Sequence, residues 1–578
     1  MPTAERVMRG VSAAPGTAAG AVRLLVAPDL GSGGPLPPER RAAELDQAER
    51  ALAAAAVELD SIAARLRDEG RSAEAEVVET GVLMAGDPSL KKEVAAAVLD
   101  RGHSAPAAIL KATGAHAAAI AELDDPLLSA RAADVRSLGN RAARLAGAGK
   151  SRAATEGPSV LVASDLGPAD VAELGADVVA IALAEGAVRA HAAIVARSLG
   201  TPMVVALGER LLELDDGTSL IVDGSAGLVT ASPSAVELAA AQLASARRRE
   251  ALERSVRRRD LAAETADGHR LSVLANVASG AEVGLALAAG AEGAGLIRTE
   301  LAFLDAGAWP TEALHRAALE PILAPLRGRL ATVRVLDFGG DKTPPFLAGA
   351  SGRGIELLLD EPERLKDQLR GILSAAAGKD LDLRLLLPMV RSAADVAAVR
   401  AALDESATLG AMIESPEAAE DAAQIARESD FLSIGTNDLA AAVLGVERFR
   451  TGESPAYHPA VLRAIAAVAA AASAAHIPLE VCGEAASDPL TVPLLVGLGV
   501  DELSVGAARV GVVREWVRSL SYADSRELAD RCLRADSSVE VAAIARRVAG
   551  SLELLESGDP AGEGVNGDGS VVAVGPQP

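Results

Sequence analysis

Aromatic side chains are scarce: Phe, Tyr and Trp make up 2% of the 578 residues. Half of the chain is nonetheless hydrophobic, so its cores are aliphatic and alanine-rich, and the length allows three or four domains. There are two cysteines, Cys482 and Cys532, which excludes a disulfide scaffold at this size. No window approaches ~18 uninterrupted apolar residues, and the N-terminal MPTAERVMRG has no apolar signal core. The expected setting is therefore the cytoplasm, with no membrane partner. Basic residues are the minority, and the formal charge of −24 argues against a general nucleic-acid or anionic-membrane binder. Histidine is rarer still, seven in all, which draws the eye to one of them.

That histidine, His191, sits in EGAVRAHAAIVARSLGTPMVVA, between a Gly-containing turn and what reads as a short helix. Around it the chain changes character several times. Residues 10–27 read as two strands broken at Pro15-Gly16. A long amphipathic, alanine-rich segment follows, with apolar residues at spacings of three and four, as in a helical bundle. From residue 158 short apolar strands, SVLVASDL, DVVAIAL, MVVAL and SLIVDG, alternate with short helices. This is a compact α/β domain into which the bundle is inserted if the N-terminal strands complete it. A polar helix over roughly 232–260, carrying Arg247–Arg249 and Arg257–Arg259, reads as a solvated connector. The tail SGDPAGEGVNGDGSVVAVGPQP has the composition of a disordered segment.

From residue 270 eight short apolar strands, RLSVLAN, GAGLIRT, ATVRVLD, LRLLLPM, LGAMIES, FLSIGTND, LEVCGE and DELSV, are separated by helical stretches. Eight strand–helix units in about 260 residues predict a (β/α)8 barrel, whose chemistry sits at the C-terminal strand ends. Those ends carry Asn276, Arg298, Arg334, Asp337, Gly339 to Lys342, Glu414, Asn437, Asp438, Cys482, Glu484 and Ser504. Glu414 and Asp438, on adjacent strands, suit a hard divalent cation such as magnesium, which takes few protein oxygens and fills its shell with substrate and water. Arg298, Arg334 and Lys342 suit a small, highly charged anion. Cys482 can give or take one proton. Singly, each residue has a structural explanation: a surface ion pair, a helix cap, a buried small thiol. Together they point to a barrel that binds a cation and an anionic substrate.

The stretches LIRTELAFL, VRVLDFGGDK, AMIESPEAA, FLSIGTNDL and VCGEAASD resemble the C-terminal barrel of enzyme I of the bacterial phosphotransferase system, the phosphoenolpyruvate–protein phosphotransferases. The His191 stretch, GVSAAPGTAAG and ELDDPLLSARAADVRSLGNR resemble the same family, over residues 10–555. The resemblance implies a phosphohistidine α/β domain formed by residues 1–34 and 148–230, and a helical HPr-binding subdomain at 35–147. It further implies a linker helix at 231–262 and a phosphoenolpyruvate-binding, dimerising barrel at 263–556, before the tail at 557–578. It implies that His191 takes the phosphoryl group of phosphoenolpyruvate and passes it to a histidine of HPr, at the start of sugar uptake. Arg298, Arg334, Lys342, Arg353, Asn437, Asp438 and Arg448 would hold the substrate. Glu414 and Asp438 would hold Mg2+, and Cys482 would protonate the enolate.

The sequence departs from the family pattern at Ala187, at Arg189-Ala190 in place of Thr-Ser, at Glu356 in place of an arginine, and at Gly506. Two other readings follow. A pyruvate-phosphate dikinase or phosphoenolpyruvate synthase pairs a histidine domain with a similar barrel, but needs a nucleotide domain with a phosphate-cradling loop. A regulatory pseudoenzyme would bind phosphoenolpyruvate or HPr without turnover.

Overall fold

The computed structural model describes residues 6–14, 16–25, 35–68, 72–121, 132–147, 157–175, 177–186, 191–339, 342–350, 352–403, 407–446 and 455–551. The chain divides into two compact units, Met1–Arg249 with Glu556–Pro578, and Glu250–Leu555. The division falls inside the polar helix, Ala235–Arg257. Residues 557–578, Arg448 and residues 187–190 lie outside the described residues. Among the described residues no helix is long and apolar enough to cross a membrane.

The first unit is built on an eight-stranded sheet. Its strands are β1 (Val7–Arg9), β2 (Val11–Ala14), β3 (Thr17–Leu24), β4 (Ser159–Ala163), β5 (Val178–Leu183), β6 (Met203–Val205), β7 (Ser219–Asp223) and β8 (Leu228–Ala231). They lie in the order β1-β8-β7-β3-β4-β5-β6-β2. β3 runs parallel to β4 and antiparallel to β7, which places the N-terminal segment inside the sheet. β2 and β3, read from sequence as one broken pair, are not neighbours: β2 crosses to the far edge and pairs with β6. Local patterning cannot show this, because pairing is decided by partners almost 200 residues away.

Between β3 and β4 the chain leaves the sheet to form five described helices, Pro38–Asp68, Ser72–Ala85, Pro88–Leu99, Ala105–Ala121 and Ala132–Leu145. On the first, Ala48, Ala51, Leu52, Ala55, Leu59, Ile62 and Leu66 are buried. Their three-and-four spacing puts them on one stripe, and the stripe closes the bundle core. The bundle is tied to the sheet domain by polar contacts. Arg141, 4% exposed, reaches Glu58 at 3.0 Å, Glu173 at 2.5 Å and Asp170 at 3.4 Å. Ser137 donates to Asp170 at 2.5 Å. Gly167 lets the two parts approach, since a Cβ there would come within 2.4 Å of Ser137.

The second unit is a closed barrel of eight parallel strands: β9 (Ser272–Val277), β10 (Gly293–Arg298), β11 (Leu330–Arg334), β12 (Asp382–Leu387), β13 (Thr408–Ile413), β14 (Phe431–Gly435), β15 (Leu479–Cys482) and β16 (Glu502–Gly506). All eight predicted strands are present, and β16 closes onto β9. Alternate side chains on each strand face the helices, where the large aliphatic core forms. The others face the barrel interior, where Leu296, Leu386, Met412, Phe431 and Cys482 form a small cluster of their own.

Candidate active site

The C-terminal end of the barrel gathers a charged network. Glu300, just beyond β10, and Asp337, just beyond β11, are completely buried. Burial of two carboxylates is tolerated only with cations and hydrogen bonds around them. Arg334 bonds Glu300 at 2.6 Å and lies 3.3 Å from Asp337. Lys342 bonds the same two carboxylates at 3.2 and 2.8 Å. Arg353 bonds Asp337 through Nε and Nη2 at 3.2 and 3.3 Å, and reaches Asp438 through Nη1 and Nη2, both at 3.3 Å. Burial alone would raise the Asp337 pKa, but Arg334, Lys342 and Arg353 outweigh it and hold the carboxyl below its ordinary value. Arg334 is buried and Arg353 half-buried, which opposes their charge, but their carboxylate partners hold both more firmly protonated than usual.

Glu414, at the end of β13, is 3% exposed and accepts the Met389 N–H at 2.9 Å. Burial raises its pKa to about 7, Asp337 and Asp438 add to the rise, and Arg334 opposes it. The space beside it exists because residue 435 is glycine: a Cβ there would lie 2.5 Å from Glu414 Oε1. A hard cation with two protein oxygens, Glu414 and Asp438, answers this arrangement, because it neutralises carboxylates that otherwise repel. Among the described residues no group of three His, Cys, Asp or Glu side chains is arranged to hold a metal.

Arg298 ends β10 with its Nε buried and without a hydrogen-bond partner among the described residues. Asn437 accepts the Glu484 N–H at 3.2 Å. Cys482, at the end of β15, is buried, with its sulfur 3.2 Å from the Ser433 hydroxyl. Burial pushes its pKa up, so the thiol keeps its proton.

The ion-pair network thus joins Arg334, Lys342, Arg353 and Asp438, with Glu414 electrostatically coupled to them. Arg448 lies outside the described residues. His191 belongs to the other unit, as the first residue of the helix His191–Leu199. That helix packs Ala192, Ala193, Val195 and Ala196 into the sheet domain's core, and free N–H groups at such a helix start favour an anion. Sequence reasoning gave no role to Glu300, Glu480 or Ser433. Glu300 follows Arg298 by two residues and reads as a helix cap. A lone carboxylate inside the apolar strand LEVC was the available signal for Glu480.

Residues 252–522 match the PEP-binding domain of the PEP-utilising enzymes, residues 9–131 match the N-terminal domain, and residues 155–227 the mobile domain of the same group. The chain is 36% identical to the phosphoenolpyruvate-protein phosphotransferase of Streptomyces coelicolor over 94% of its own length and 99% of that protein. It is 31% identical to that of Staphylococcus carnosus, over 92% of this chain and 97% of that one. It is 39% identical to a multiphosphoryl transfer protein of Xanthomonas campestris over 74% of this chain, but spans only 54% of that longer protein.

Proposed function

The chain belongs to the family of PEP-utilising enzymes, and from that membership we propose that it is a phosphoenolpyruvate–protein phosphotransferase acting through His191. The observation that carries the proposal is the cation-rich barrel mouth, where Arg334, Lys342 and Arg353 lean on buried protein carboxylates and the Arg298 Nε has no partner. Phosphoenolpyruvate brings a phosphate and a carboxylate to such a mouth, and guanidinium forks match both. Asn437 and Arg448 join the substrate contacts by resemblance. Glu414 and Asp438 would hold Mg2+, which would supply charge neutralisation for the substrate.

Phosphoryl transfer asks the protein for positioning and electrostatics more than for covalent help. Neutral His191 attacks phosphorus as the bond to the enol oxygen breaks, leaving the pyruvate enolate in the barrel. The Cys482 thiol, kept protonated by its burial, gives its proton to the enolate carbon. The phosphoryl group then passes from His191 to a histidine of the carrier HPr, docked on the helical bundle, and the barrel is the dimer interface.

Incubation with labelled phosphoenolpyruvate and magnesium should place an acid-labile phosphate on His191 and release pyruvate. His191→Ala should take no label. Binding of phosphoenolpyruvate without any labelling would replace this reading with that of a binding protein without turnover.

A further inference from the structure

Beneath Cys482, one step deeper in the barrel, lies a carboxyl group that the phosphotransfer reading leaves without a task. Glu480 is fully buried, and neither of its oxygens has a hydrogen-bond partner among the described residues. Leu479 and Val481 face the helices, so Glu480 and Cys482 share the interior face of β15 by strand alternation. The nearest cation, Arg384, is already committed: it grips Glu502 with two bonds of 2.8 and 3.2 Å and stacks 5.0 Å over the Phe431 ring. The neighbouring Ser504 hydroxyl donates to Asn276 at 2.7 Å, and its proximity only partly offsets the effect of burial on the Glu480 carboxyl. The carboxyl occupies room left by Gly295, where a Cβ would lie 2.9 Å from Glu480 Oε1 and 2.5 Å from Ser504 Oγ.

An unpaired carboxylate in such a place is far more costly than a carboxylic acid. Burial, reinforced by the Glu502 charge, holds the Glu480 pKa well above its ordinary value, so the group carries a proton. Ser433 is its cross-strand partner in register, and the Ser433 hydroxyl lies 3.2 Å from the Cys482 sulfur. Carboxyl, hydroxyl and thiol therefore follow one another along the interior face of two adjacent strands.

We propose that Glu480 is the proton reserve behind Cys482, acting through the Ser433 hydroxyl. As the thiol gives its proton to the enolate carbon, Ser433 passes its hydroxyl proton to the sulfur, and a rotation of the Glu480 side chain toward its register partner lets the hydroxyl oxygen take the Glu480 proton in exchange. One C–H bond forms, the thiol and the hydroxyl are restored, and the negative charge ends on the carboxylate. Water reprotonates that carboxylate before the next turnover. The advantage is thermodynamic: a thiolate as buried as Cys482 is a stronger base than a carboxylate in the field of Arg384, so charge on Glu480 is the less costly outcome.

This inference rests on Cys482 as the enolate's acid, and one experiment separates the two. Rapid quenching of a single turnover with labelled phosphoenolpyruvate and magnesium measures phosphate on the protein and pyruvate released. Glu480→Gln keeps the shape of the neutral acid but has no proton to give. It should acquire phosphate at the wild-type rate while pyruvate lags by at least about tenfold, within the usual worth of general acid catalysis. Ser433→Ala, which removes only a hydroxyl, should show the same lag. If Cys482→Ala lags and either of the other variants keeps phosphate and pyruvate in step, the reserve is overturned and the acid stands. If Cys482→Ala shows no lag, the reading of Cys482 itself falls. Loss of phosphate labelling in folded Glu480→Gln would assign Glu480 to packing and also overturn the proposal.

Discussion

Glu414 is a carboxylate whose place in the barrel opposes its charge, since burial raises its pKa to about 7. Glu414→Gln keeps the acceptor for the Met389 N–H and removes the charge a cation needs. Pyruvate formation should fall at least about a hundredfold, while the melting temperature holds or rises, because an ionised carboxyl no longer has to be buried. Coupled pyruvate assays and calorimetry on the same protein check both halves. Asp165, beyond β4, is a second such group. Burial raises its pKa to about 6, the nearby Glu185 charge adds to this, and the Leu166 N–H and Arg136 oppose it. A raised pKa in the folded state means that this contribution to stability is complete below about pH 4 and is lost as pH rises through about 6. Asp165→Asn should therefore be more stable than wild type by about 3 kcal/mol at pH 7, with the gain nearly vanishing at pH 4; denaturant titrations at the two pH values measure it. The sequence announces Arg334, Lys342, Glu414 and Cys482 because each polar group sits just past an apolar run. Glu300 is silent in it, since nothing local distinguishes a helix-capping glutamate from one sealed inside a barrel, and Glu480 shows only as a lone carboxylate in an apolar strand.

Strands and helices differ in what their sequences disclose. The eight barrel strands are buried on both faces, so they read as unbroken apolar runs, and their order around the barrel follows from chain order. The sheet of the first unit has no such rule, and the separation of β2 from β3 is written only in long-range pairing. The contact between bundle and sheet domain is likewise invisible locally, because Arg141 reads as one more charged residue on an amphipathic helix. In the fold its guanidinium collects Glu58, Asp170 and Glu173. Replacing it removes the shared cation and leaves three carboxylates close together. Arg141→Ala should cost about 2 kcal/mol, less than a wholly buried pair because Glu58 and Glu173 remain partly solvated. It should also raise proteolytic cleavage between helix Ala132–Leu145 and β4, which limited digestion followed by mass spectrometry would register. Intact wild-type behaviour on both counts would make Arg141 a surface residue in effect.

At the scale of the molecule, the two compact units predict two calorimetric transitions rather than one. Phosphoenolpyruvate with magnesium should move only the barrel's transition. At a hundredfold excess over Kd the added stability is about 2.7 kcal/mol, a rise of roughly 5 °C for a unit of this size. A shift of both transitions together would mean that the units melt as one. The closure of the barrel has a further consequence, for how the chain is made. β9 meets its second neighbour only through β16, and the side chains that join them, Asn276 and Ser504, are 228 residues apart. A ribosome adding about 5–20 residues per second needs on the order of 10–50 s to cover that distance. For all of that time the first strand offers a bare row of N–H and C=O groups along one edge, which any other extended chain could occupy. The barrel is thus slow to mature, and a holdase that shields strand edges would raise its yield.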